Sequence, residues 1–117
     1  MSQILLVEDF EPMRVSTAAV LRQMGHGVFE ADSAESAMAI LAHESIDVLF
    51  TDVALPGTSG DVFAAEACSL RPGLRVVFGT GLAQFPSSVR FDGPAVLRKP
   101  YTRENLEVAL GGTTPRT

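Results

Sequence analysis

Five apolar runs of strand length alternate with segments of helical spacing, which predicts an α/β protein with a doubly wound, five-stranded parallel sheet. The connections are short, and parallel strands joined through helices are linked by right-handed crossovers. The third run, residues 46–50, drives straight into Asp52 and then into Pro56-Gly57, a turn signal. Asp52 is thereby placed at the carboxyl end of a buried strand, the edge where open parallel sheets bind ligands. From the small menu of topologies, strand order 2-1-3-4-5 is expected; its switch point lies between strands one and three.

Strand one is expected over residues 3–8, with Glu8, Asp9 and Glu11 crowding its carboxyl end. Pro12 suits a first helical turn, because the amide it lacks would have no partner there. Apolar residues at helical spacing run from Met13 to Met24, and Gly25 and Gly27 stop the helix. A second strand covers residues 28–31. Ser33 then caps an alanine-rich helix, AESAMAILA. The third strand covers residues 47–51. Helix three is expected over residues 61–70 and is stopped by Arg71-Pro72-Gly73. Strand four covers residues 74–78 and ends in Gly79-Thr80-Gly81, small residues that let backbone and ligand come close. Residues 82–93 carry the weakest pattern: Pro86 interrupts any helix, so an irregular or shortened fourth helix is expected. Strand five covers residues 95–97 and runs into Arg98-Lys99-Pro100. Thr102 caps a last helix over residues 103–110. Residues 1–110 form one domain, and 111–117 a flexible tail or the start of a linker.

With 117 residues the chain has room for a real core. A net charge of −5 and no basic stripe argue against a nucleic-acid binder. Cys68 stands alone, so no internal disulfide can form, which is compatible with a reducing cytosol. No apolar run approaches membrane-spanning length. His26 and His43 are isolated, without a second ligand at metal spacing, and fit structural or surface roles.

The expected topology gathers Glu8 and Asp9 from strand one, Asp52 from strand three, Thr80 from strand four and Lys99 from strand five at one edge. Three converging carboxylates repel one another unless a cation offsets them. Carboxylate oxygens, waters and a phosphate oxygen together describe a Mg²⁺ site. Such a pocket, with a hydroxyl and an ammonium on its rim, suits a phosphoryl group. Aspartate can accept a phosphoryl as an acyl phosphate, and Asp52 is the central carboxylate. Lys99 would hold a phosphate oxygen as a point charge, and Thr80 would donate a hydrogen bond to another. Each residue also has an ordinary explanation. Asp52 could cap the following helix, Glu8-Asp9 could complement a helix dipole, Thr80 could be a turn hydroxyl and Lys99 a solvated lysine. The coincidence of all five at one edge is what points to function.

Together LLVED, TDVALPGTSG, the apolar strand ending at Thr80-Gly81, and Lys99-Pro100-Tyr101 resemble the receiver (response-regulator) domains of two-component signalling, over about residues 3–110. The resemblance implies that Asp52 accepts phosphoryl from a histidine kinase or histidine phosphotransfer protein. It implies Mg²⁺ held by Asp9, Asp52 and the backbone carbonyl of Ala54, with Glu8 acting through water. It also implies a cis peptide before Pro100 that aims Lys99 into the site. Such a protein is a cytoplasmic phosphoacceptor rather than an enzyme, although it assists its own phosphotransfer and hydrolysis. Contact with nucleic acid or membrane is not expected, and a monomer is.

The chain also departs from the family pattern. Many receivers carry an aromatic residue three positions before the lysine, and Val96 stands there in this sequence. The Phe78-Gly79-Thr80-Gly81 segment resembles a receiver subgroup in which the stretch after strand four is irregular; phosphorylation is expected to order residues 81–93. Ala54 and Leu82 are apolar at positions that border the attacking water in this family, so slow hydrolysis of the acyl phosphate is expected. The AESAMAIL and LRPGLRVVF segments also resemble receivers attached to hybrid histidine kinases, so a stand-alone protein and part of a longer one both remain open. Three other classes compete. A flavin carrier of the same fold needs a Ser/Thr/Gly-rich loop after strand one, where this chain has Glu8-Asp9-Phe10-Glu11. A phosphohydrolase usually has a second carboxylate where Ala54 stands. A degenerate receiver that only binds partners sits poorly with Glu8, Asp9, Asp52, Thr80 and Lys99 all being present.

Overall fold

The computed structural model describes residues 2–55, 57–80, 95–98, 101 and 103–111. Strands β1 (Gln3–Val7), β2 (Gly27–Ala31), β3 (Val48–Asp52), β4 (Arg75–Thr80) and β5 (Ala95–Arg98) form one sheet in the order β2-β1-β3-β4-β5. Every pairing is parallel. The four described helices are α1 (Glu11–Gln23), α2 (Ala34–His43), α3 (Gly60–Leu70) and α4 (Arg103–Gly111). The expected irregular helix over residues 82–93 lies outside the described residues.

Strand alternation divides the core in two. Leu5, Val7, Leu49 and Phe78 face α2 and α3, which meet them with Ala34, Ala37, Leu41, Phe63, Ala64 and Ala67. Ile4, Leu6, Val48, Phe50 and Val77 face α1 and α4, which contribute Ala18, Leu21, Leu106 and Leu110. The sheet is therefore covered on both faces, and its central strands are apolar on both, as parallel sheets require.

Local chemistry sets the boundaries. Ser33 caps α2 through a reciprocal pair: its Oγ accepts from the Ser36 amide at 3.2 Å, and the Ser33 amide donates to Ser36 Oγ at 3.3 Å. Pro12 occupies the first turn of α1, and Gly25 follows its end; Gly27, expected to help stop that helix, instead opens β2. The strand edges also shift. Asp47, expected within β3, precedes it, yet its backbone and side chain both bond Gln3, which ties β1 and β3 together at the amino edge. At the carboxyl edge β3 runs one residue further than expected, to Asp52, and β4 two further, to Thr80. The added residues are held by cross-strand partners, Asp52 beside Gly79 and Thr80 beside Arg98.

His26 is structural. The Ser2 amide donates to its Nδ1 at 3.1 Å, and burial lowers the imidazole pKa from its ordinary 6.5. The unfolded chain therefore takes up a proton first as pH falls, so the contribution is complete above pH 6.5 and declines below it. The urea midpoint should fall as pH drops below 6.5, and His26→Gln should flatten that part of the profile. Identical pH profiles for the two proteins would contradict this role.

Candidate functional site

One residue beyond the last register pair, Val7↔Thr51, stand Glu8 and Asp52 at the carboxyl edge. Glu8 has the parity of Leu6 and Asp52 that of Phe50, so both side chains lie on the α1–α4 face. Asp9 lies in the turn that leads into α1. One carboxylate oxygen from each of Glu8, Asp9 and Asp52 falls within 4.8 Å of the others. Glu8 and Asp52 are buried and Asp9 is exposed. Carboxylates so close present an all-oxygen donor set that fits a hard cation such as Mg²⁺ or Ca²⁺. This is the expected switch point between β1 and β3.

The surrounding backbone holds the acids in place. The Glu8 amide donates to Ala31 O at 3.0 Å, and the Phe10 amide donates to Glu8 Oε2 at 3.1 Å. Arg14 reaches from α1 to donate to the Glu8 carbonyl at 3.1 Å while its Nε pairs with Glu30 at 3.3 Å. Arg22 binds the other oxygen of Glu30 at 3.1 Å. At Asp52, the Ala54 amide donates to Oδ1 at 3.3 Å, and the Val53 amide donates to Gly79 O at 3.1 Å. The start of α3 is pulled onto this turn by the Gly60 amide, which donates to Val53 O at 2.7 Å. A Cβ at Gly60 would collide with the backbone oxygen of Asp52, so glycine is required by close approach. Asp61, next in that helix, is buried in the first turn, where the helix dipole favours a carboxylate; among the described residues its Oδ1 has no hydrogen-bond partner.

Of the residues expected at this edge, Glu8, Asp9 and Asp52 come together, and Ala54 lies two residues beyond Asp52, exposed, with its amide on the carboxylate. Thr80 ends β4 at the same edge. Lys99, the peptide before Pro100, and Leu82 lie outside the described residues. Val96 sits in β5 beside Phe78 in register. Sequence reasoning assigned no role to Arg14, Gly60, Asp61 or Tyr101. Tyr101 stacks at a tilt on Phe50, ring centroids 5.2 Å apart, and its hydroxyl occupies the space above Gly79. Burial raises the Tyr101 pKa well above its ordinary value, reinforced by the charges of Glu8 and Asp52. Its signal in the sequence is the position directly after Lys99-Pro100, but its reach to Gly79 depends on the fold.

Fold and acid cluster define a doubly wound α/β module with a carboxylate site at its switch point. Residues 4–110 match the model of the response regulator receiver domain, and the chain belongs to that family, part of two-component signalling. It is similar to the response regulator receiver protein CpdR of Brucella abortus, 33% identical over 91% of this chain and 91% of that protein. It also resembles the sensor kinase CckA of the same species, 27% identical over 92% of this chain but only 12% of the kinase. A solved response regulator from Burkholderia pseudomallei, described with a phosphorylated aspartic acid and a calcium ion, superposes with a TM-score of 0.83; it is 27% identical, over 94% of this chain and 66% of that one.

Gly60→Ala should destabilise the domain by about 1–3 kcal/mol, the usual range for overpacking at a site that cannot yield. Chemical denaturation checks this; an unchanged midpoint would show that α3 can move away from Asp52 freely.

Proposed function

We propose that the chain is a phosphoacceptor receiver that takes a phosphoryl group from a histidine kinase or histidine phosphotransfer protein onto Asp52, with Mg²⁺, and signals through the resulting change of shape. The observation that carries this reading is the convergence of the Glu8, Asp9 and Asp52 carboxylates within 4.8 Å at the switch point. The phosphorylated aspartate and calcium ion described for the Burkholderia pseudomallei relative support it, as does the similarity to the sensor kinase CckA.

Asp9, Asp52 and the Ala54 carbonyl would hold the metal, with Glu8 acting through water. When bound, the metal neutralises charge on the transferring phosphoryl and on the acids around it. An oxygen of Asp52 attacks phosphorus as the bond to the donor's imidazole nitrogen breaks; the nitrogen keeps the electron pair, and an acyl phosphate forms. The hydrogen bond from the Ala54 amide orients the Asp52 carboxylate for this attack. Thr80 and Lys99 are assigned to the phosphoryl oxygens. The protein is not an enzyme in this reading but one party to the transfer. It works in the cytoplasm as a monomer, without binding nucleic acid or membrane. No helix among the described residues is long and apolar enough to cross a membrane.

Incubation with Mg²⁺ and a small-molecule phosphodonor should add one phosphoryl by intact mass, and Asp52→Asn or removal of Mg²⁺ should abolish the adduct. Failure to form it, together with no binding of beryllofluoride, would transfer the case to a phosphorylation-independent binding role. Once formed, the acyl phosphate should persist, because Ala54 offers no polar side chain to orient water. Ala54→Asn should shorten its lifetime severalfold, and equal decay of the two proteins by the same mass assay would contradict that role.

A further inference from the structure

We propose that Tyr101 is a positioning residue of the acceptor site, its hydroxyl donating a hydrogen bond, directly or through one water, to the phosphoryl group carried by Asp52. The inference rests on the acceptor role of Asp52. Phe50 and Asp52 lie two residues apart on one face of β3, and their neighbours on β4 in register are Val77 and Gly79. The Tyr101 ring packs on Phe50, at the inner of these two levels. Its hydroxyl reaches the outer one, into the space where a side chain at position 79 would begin. That space exists only because residue 79 is glycine. Adjacent strands lie about 4.8 Å apart, so the hydroxyl stands about one strand spacing from the Cβ of Asp52. A phosphoryl group on the Asp52 carboxylate spans most of that gap.

The hydroxyl is also in the right chemical state. Burial raises its pKa above the ordinary tyrosine value, so it is a donor at neutral pH. Phosphorylation replaces a carboxylate with a group of higher charge and three acceptor oxygens, which strengthens the bond. The ring has room to respond. It borders a recess of about 90 Å³ shared with Met13, Thr17 and Val20 of α1 and Leu106 of α4. A tilt of the ring therefore changes the packing between these two helices. The tyrosine thus supplies a moving aromatic group beside the acceptor, in a chain with Val96 at the usual aromatic position.

Tyr101 is the single tyrosine and the chain has no tryptophan, so intrinsic emission reports this one ring. The test titrates wild type, Asp52→Asn and Tyr101→Phe with beryllofluoride in Mg²⁺, reading tyrosine emission and, separately, bound fluoride by ¹⁹F NMR. Expected are a change of emission in wild type that Asp52→Asn abolishes, and beryllofluoride affinity weakened roughly three- to tenfold in Tyr101→Phe, the scale of one net hydrogen bond. Bound fluoride with unaltered wild-type emission, or affinities within about twofold of each other (less than one such bond), overturns the role of Tyr101 and leaves Asp52 as acceptor. Absence of bound fluoride in wild type overturns the acceptor reading itself, and this proposal with it. Should Tyr101→Phe fail to fold, the comparison of wild type with Asp52→Asn still decides.

Discussion

Mutual repulsion among Glu8, Asp9 and Asp52 is the constraint around which the domain is arranged. Carboxylates with oxygens inside 4.8 Å of one another do not gather by preference. They are brought together because β1 and β3 are held in parallel register by a largely apolar interior, with Val7 paired to Thr51 one residue short of Glu8 and Asp52. The hydrophobic free energy of two covered sheet faces thus holds the three carboxylates at one edge. The hydrogen bonds around the site serve the same end. Arg14 fixes the Glu8 backbone, and Gly60 draws the head of α3 against Asp52.

Period-2 alternation then decides what the acids see. Asp52 and Glu8 share a face with Phe50 and Leu6, so the pocket opens toward α1 and α4. That is the face on which Tyr101 lies, whereas the α2–α3 cluster packs on the opposite face of the sheet.

Much of this was legible in the sequence, and the exceptions share a cause. Apolar runs fixed the five strands, helical spacing fixed α1, α2 and α3, and Ser33 marked the start of α2 because its capping chemistry is local. Asp52, Glu8 and Asp9 were legible because they stand within two residues of the end of an apolar run. Strand ends were not. Asp52, Gly79 and Thr80 read as loop by propensity, yet they belong to strands because neighbouring strands supply ladder partners, which no local window contains. Tyr101 was passed over for a related reason: its meaning comes from the register of β3 against β4 and from an absent side chain at Gly79. Asp61 carries no signal of its own in the sequence beyond the start of a helix, and its burial is a product of tertiary packing.

The α2–α3 layer is built largely of alanine, at positions 34, 37, 64 and 67, all buried against the sheet. Small side chains let helices lie close, and close-packed interiors do not absorb added volume without backbone shifts. Lengthening any of these four side chains would lift a helix and disturb Gly60, which abuts the Asp52 backbone. Sequence drift on that side is therefore confined to the solvent-facing positions. On the other layer, α1 and α4 leave a recess of about 90 Å³ beside Tyr101, so side-chain volume can change there with less disturbance of the sheet.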